Sequence, residues 1–304
     1  MGESQSDIKI TSMMLRPLVR MIKPPKNKRP VDRRPPLAAT PDVSEKTFLF
    51  LGGLHRSGTS ILHRLMRSHE SASGFSQTGA PQDEGQNLQS VFPDAKATGK
   101  PGRFAFNPYA HITSQSDIIS EENRDKLLRE WGVYYDLDKT LLLEKSPPNL
   151  LRSCFLQDLV PNSKFVFIVR HPIAVSLATR KWSKTSLIEL MLHWYLAHKI
   201  MIEDARSLQH VMILRYEDFV SSPTRYLGHI CDFSGVDNFE PSETVSDHNG
   251  KYLGNIPKEF MDELVLLKER FPEVVELVER MHYSLDLPYV TTLPHREFLT
   301  VGDL

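Results

Sequence analysis

Thr47-Phe48-Leu49-Phe50-Leu51-Gly52-Gly53-Leu54-His55-Arg56-Ser57-Gly58-Thr59-Ser60 decides how the rest of the sequence is read. Its first five residues are a short, continuous apolar run rich in aromatics. A strand buried on both faces of a parallel sheet has that composition. The run stops at Gly52-Gly53, and residues 59–69 carry Ile61, Leu62, Leu65 and Met66 at helical spacing. A strand, a glycine turn and a helix in succession form the first half of a βαβ unit. Gly53 and Gly58 bracket four residues, the spacing of a phosphate loop. Such a turn directs backbone N–H groups and a helix N-terminus at an anion. Nucleotide triphosphatases place Lys and Ser/Thr next, with an acidic Mg²⁺ ligand elsewhere. Thr59 and Ser60 stand there instead, and no acidic residue ends an apolar strand as a clear metal ligand. Arg56, inside the loop, supplies the charge toward a 5′-phosphate.

Outward from this stretch, apolar runs at Thr140–Leu143, Lys164–Val169 and Val211–Leu214 read as further strands. Helical patterns lie between them: 121–136, capped by Ser120 with Glu121 and Glu122 in the first turn, then segments from Pro148 and Pro172. Residues 186–206 and a helix opened by Pro223 follow, and 257–282 reads as a last helix or pair. The alternation implies an α/β fold, P-loop-like, with three α/β/α layers around a central parallel sheet. Residues 70–117 lack periodicity but contain Phe75, Phe92, Phe104, Phe106 and Tyr109, which reads as an ordered substrate loop.

Arg170 leaves the strand ending Phe165-Val166-Phe167-Ile168-Val169 and precedes His171-Pro172. An arginine there faces the crevice in which α/β proteins bind ligands, and its planar guanidinium suits a phosphate. Ser176 can add a hydroxyl. The alternative is an arginine paired with a nearby carboxylate. Lys145 leaves the second apolar strand toward the same crevice, with an ion pair to Glu144 as its structural alternative. His193 and Trp194 read as core residues of a long helix, and Arg215 and Glu217 as ties between strand and helix.

The chain of 304 residues is 40% hydrophobic and has a formal net charge of -1. That supports one large domain, residues 46–304, and gives no global basicity for nucleic acid. Residues 1–45 read as a flexible basic arm: nine Lys or Arg and one acid lie between Lys9 and Arg34, interrupted by prolines. Met13–Ile22 mixes apolar and basic residues, so a peripheral membrane contact is its sharper alternative to a solvated tail. Two cysteines, Cys154 and Cys231, without metal or redox spacing, suit a reducing compartment. With no apolar run long enough for a membrane span and no signal pattern, the expectation is a cytoplasmic protein without a Golgi-type anchor.

Together these motifs resemble the superfamily of sulfotransferases that use 3′-phosphoadenosine 5′-phosphosulfate (PAPS). Leu54–Ser60 resembles its 5′-phosphosulfate loop, and Arg170-His171-Pro172 with Ser176 its 3′-phosphate motif. Leu143-Glu144-Lys145-Ser146-Pro147 is similar to a strand-end segment of the carbohydrate branch. Arg215-Tyr216-Glu217-Asp218 and Asp83-Glu84-Gly85-Gln86 are similar to segments of family members, the latter of soluble bacterial ones. The order is the family's, over about residues 47–255. One position departs: the usual serine eight residues after the arginine is Ala178, with Ser176 and Thr179 at six and nine. Positions six and eight differ by about 200° around a helix.

The resemblance implies sulfuryl transfer to a hydroxyl or amine, with a carbohydrate or small molecule as preferred acceptor. The donor is a co-substrate, held by Arg56, Ser57, Gly58, Thr59, Ser60, Arg170, Ser176 and Lys251, and the scheme calls for no metal. Arg56 and Lys145 stabilise the leaving phosphate. Glu84 is the first choice for the acceptor's base, ahead of Asp83 and Glu144. The alternatives are a kinase-like phosphotransferase and a nucleotide-binding scaffold without turnover.

Overall fold

The computed structural model describes residues 34–183, 185–241, 243–254, 256–286 and 298–304. Five parallel strands, β1 (Thr47–Gly52), β2 (Ala72–Gly74), β3 (Leu141–Lys145), β4 (Ser163–Val169) and β5 (Val211–Arg215), form one sheet in the order β2-β3-β1-β4-β5. β1 is central. It runs in register with β3 from Thr47 opposite Leu141 to Leu51 opposite Lys145. On its other side Phe48 lies opposite Ser163 and Gly52 opposite Phe167. The carboxyl ends of β3 and β4 therefore flank the turn after β1, which brings Lys145 and Arg170 to either side of the glycine loop.

Alternate residues of each strand face opposite sides of the sheet, and both sides are covered. Phe48, Phe50, Leu142, Phe165 and Phe167 pack in one buried cluster with Trp131, Phe155 and Trp194. These come from α2 (Glu121–Gly132), α3 (Ser153–Leu159) and α5 (Leu187–Ala205). Leu49, Leu51, Leu143, Val166 and Ile168 pack on the other side with Leu62, Met66, Phe219 and Leu227. Those belong to α1 (Thr59–Arg67), α6 (Tyr216–Ser221) and α7 (Pro223–Ser234). The expected three-layer α/β/α architecture is what the chain adopts. α4 (Pro172–Arg180), α8 (Lys258–Arg270) and α9 (Pro272–Arg280) complete the first layer.

Local chemistry sets the boundaries. The Ser120 hydroxyl accepts from the Asn123 amide at the start of α2. Ser186 and Glu189 form a capping box on α5, and Pro223 opens α7, which stops at Gly235 in the left-handed region. Two features differ from expectation. β2 is three residues long and has no apolar run, so only its pairing with β3 defines it. Order also begins before Thr47: Leu37 lies on Gly132 of α2, its amide donating to Arg129 O, and Val43 is buried. The rest of the expected arm, 1–33, including Met13–Ile22, lies outside the described residues.

Candidate active site

A cavity of about 860 Å³ opens at the carboxyl end of the sheet, between the β1 turn, β4 and residues 81–101. Its floor is the glycine loop. Gly53 has φ 153°, and a Cβ there would lie 2.5 Å from Ile168 O, so only glycine fits. Gly58, with φ 112°, caps α1 but offers it no side-chain hydrogen bond. The first-turn N–H groups of α1 are thus left to the cavity, which Gly58, Thr59, Ser60 and Ile61 line. Arg56 sits at φ 73°, exposed, its guanidinium 3.1 Å from the centre of the Trp182 ring. Ser57, expected with this group, is buried behind the loop, and its hydroxyl has no partner among the described residues.

Arg170 forms the opposite wall. Its Nε donates to Asn249 Oδ1 and its Nη1 to Arg56 O, both at 2.8 Å, and its guanidinium lies 4.2 Å over the Tyr216 ring. The other terminal nitrogen, Nη2, is buried without a partner. No carboxylate among the described residues pairs with Arg170, so the ion-pair alternative does not hold. Its orientation comes from behind. Glu217 accepts from Asn249 Nδ2 at 2.7 Å, from the His171 amide and from the Tyr283 hydroxyl, and Trp194 Nε1 donates to Arg170 O. Burial raises the Glu217 pKa against these bonds. Arg215 ties β5 to α6 through Asp218, as expected, while Glu217 links α6 to the start of α4.

The third wall carries the carboxylates. Glu84 lines the cavity and meets Lys145 Nζ at 3.3 Å, and Lys145 also donates to Gln82 O. Burial raises the Glu84 pKa, and the charge of Lys145 opposes part of that rise. Gln86 Nε2 donates to Glu84 Oε2 at 2.5 Å, while Gln86 Oε1 accepts from Arg152 Nη2 and the Ala95 amide. The expected alternatives to Glu84 are structural. Glu144 is enclosed, accepting from the Gly85 amide, Ser146 Oγ and Asn149 Nδ2. It cannot pair with Lys145, because consecutive residues of a strand point to opposite faces. Asp83 accepts from Thr78 and the Gln77 amide and does not line the cavity; those bonds hold its pKa low against its partial burial.

Besides Ser57, two expected donor ligands are not brought to this cavity. Ser176 faces a separate small void with Thr179, Leu54 and His193, because its side of α4 turns toward α5. Lys251 is exposed on a one-turn helix, Gly250–Leu253, and does not line the cavity. Four aromatics of 70–117 are core: Phe75, Phe92, Phe104 and Phe106 are buried, while Tyr109 is exposed, and polar residues of the same stretch line the cavity. Sequence reading missed His55, whose imidazole lines the cavity and is kept neutral by burial, its pKa down at about 3. It also missed Asn249, two residues from Lys251. Its only signal was a polar residue in a turn.

Residues 49–241 match the profile of the sulfotransferase family. The chain is 24% identical over 214 residues to protein-tyrosine sulfotransferase 2 of Gallus gallus, covering 67% of this chain and 54% of that protein. It is 24% identical over 199 residues to protein-tyrosine sulfotransferase A of Caenorhabditis elegans, covering 62% and 50%. The chain spans about half the length of these curated relatives. A solved sulfotransferase from Alicyclobacillus acidocaldarius is similar with a TM-score of 0.48 and 18% identity, over 79% of this chain and 98% of that one. With a match running from β1 to beyond α7, over more than half of its length, the protein belongs to the sulfotransferase family.

Proposed function

We propose that the protein transfers a sulfuryl group from PAPS to an acceptor hydroxyl or amine, and that the cavity at the end of β1 is where it does so. One observation carries the assignment to a phosphate-bearing donor: a buried guanidinium, Arg170, with no carboxylate partner and one free nitrogen, across the cavity from an uncapped helix N-terminus. A buried charge is costly unless paired, so a site of this kind is completed by an anion. PAPS supplies the activated sulfuryl group. The α1 amides and Arg56 suit its 5′ end and Arg170 its other phosphate. Ser57, Ser176 and Lys251 lack that support, since they do not line the cavity.

In this reading Glu84, which lines the cavity, takes the acceptor's proton. As the acceptor oxygen–sulfur bond forms, the bond from sulfur to the 5′-phosphate oxygen breaks, and the electron pair leaves on that oxygen. Arg56 and the loop amides then stabilise the charge; Lys145, expected to share this role, is buried, does not line the cavity and acts on Glu84 instead. Losing one such donor costs about 3–4 kcal/mol of transition-state stabilisation. A single domain that takes in residues 37–45 as well as the expected 46–304, and a reducing cytoplasmic compartment, belong to this reading. Two unpaired, buried thiols support the last of these.

The test is calorimetric titration with 3′,5′-adenosine diphosphate (PAP) in the absence of magnesium. Metal-free binding tighter than that of ATP is the expected result. Binding of ATP alone, only with magnesium, would move the assignment to a phosphotransferase. PAP binding without transfer to any acceptor would leave a nucleotide-binding scaffold.

A further inference from the structure

The cavity lining is of nearly one sign. Arg56, Arg64, Lys96, Lys100 and Arg170 line it, against the single carboxylate of Glu84. Glu84 already meets Lys145, and Arg64 is paired with Glu243 at 2.7 Å. Arg56 and Arg170 adjoin the glycine loop. That leaves Lys96 and Lys100, which form no ion pair among the described residues. The nearest acid in sequence, Asp94, is used as a cap, accepting from the Ala97 amide at 2.7 Å.

These two lysines are held on the Glu84 side. Gln86, which donates to Glu84, also accepts from the Ala95 amide at 2.9 Å. Ala95 begins the one-turn helix Ala95–Thr98 that carries Lys96, and its carbonyl accepts from the Lys100 amide. Lys100 itself sits at φ 70°, a conformation costly for a residue with a side chain, between Gly99 and Pro101. One glutamine thus ties the proton acceptor and the two lysines into a single wall. A cleft of one sign with low-dielectric walls concentrates ligands of the other sign.

We infer that the acceptor is a small anion, a molecule whose reacting hydroxyl lies near a carboxylate, sulfate or phosphate group bound by Lys96 and Lys100. The inference rests on the sulfotransferase reading and adds the class of acceptor. A cavity of about 860 Å³ is at the large end of small-ligand sites, which suits a nucleotide donor and a small acceptor together.

The experiment follows transfer of labelled sulfate from PAPS to matched acceptors: glucuronate and glucuronamide, 4-hydroxybenzoate and 4-hydroxybenzamide. Wild type and the double variant Lys96→Ala/Lys100→Ala are compared, with PAP binding measured in parallel. The expected result is that kcat/KM for at least one acid exceeds that for its amide about tenfold or more, as for loss of a charge-assisted bond. In the double variant the ratio approaches one while PAP affinity stays within about twofold of wild type. The sugar and phenol arms show which scaffold bears the charge. Three results overturn the inference: amides as good as acids, no transfer to either acid by a protein that binds PAP, or a double variant that loses PAP affinity. The last would assign the lysines to the donor. Failure of wild type to bind PAP would instead overturn the underlying sulfotransferase reading.

Discussion

Replacing Arg170 by methionine should separate binding from folding. In the folded protein the guanidinium makes two hydrogen bonds, to Asn249 Oδ1 and Arg56 O, and leaves Nη2 buried and free. Methionine removes a buried charge without a counter-ion, which is favourable by several kcal/mol. It also orphans two acceptors, at about 1–3 kcal/mol each. These effects oppose each other, so unfolding without ligand should change by no more than about 2 kcal/mol. Binding has no such compensation. Loss of a hydrogen bond to a phosphate costs about 1.5–3 kcal/mol, which weakens PAP affinity about 10- to 150-fold. At a PAP concentration of 100 times the wild-type Kd, the ligand stabilises wild type by about 2.7 kcal/mol. The variant should then gain only about 0.3–1.4 kcal/mol at the same concentration. Urea unfolding with and without PAP measures both quantities. A variant that keeps the full ligand increment would refute the assignment of Arg170 to the donor. So would one that is destabilised by about 4 kcal/mol without ligand, since Arg170 would then be structural.

Glu84→Gln should lower turnover about a hundred- to ten-thousandfold while leaving PAP affinity nearly unchanged; equal loss of both would make Glu84 a folding residue. The pH dependence has a definite sign. Burial raises the folded pKa of Glu84 above the ordinary 4.5, so its folding contribution is most favourable at low pH and declines as pH rises through the folded pKa. The ionised base appears over that same window, so kcat/KM should rise with pH above the usual glutamate range. Lys145→Ala should shift this limb upward, because Lys145 lowers the Glu84 pKa; an unmoved limb would assign it to another group. Glu144→Ala should cost about 3 kcal/mol or more in chemical denaturation, because three donors lose one buried carboxylate. Gly53→Ala should cost at least about 2 kcal/mol, since its Cβ would press on Ile168 O; a variant as stable as wild type would mean that the loop relaxes freely.

The sequence by itself determined the architecture and two elements that line the cavity, the glycine loop and the arginine after β4. Buried parallel strands are continuous apolar runs, and the glycine loop needs glycine where φ is positive; both are local requirements that a sequence displays. Arg56 and Arg170 were legible because each stands at a fixed distance from such a run. β2 was not legible, since three residues acquire strand character only from β3 beside them. Nor was the choice among carboxylates. Glu84, Asp83 and Glu144 are equally acidic on paper. Only the packing of residues 75–87 against β3 encloses Glu144, ties Asp83 to Thr78 and leaves Glu84 at the cavity beside Lys145. Ala178 marked a departure in the segment that resembles a 3′-phosphate motif. The rotation of α4 then turned Ser176 away from Arg170. The relay from Glu217 through Asn249 to Arg170 joins residues from three parts of the chain, 79 positions apart at its widest hydrogen bond. Hydrogen bonds of that kind have no sequence period, and only the tertiary structure could decide them.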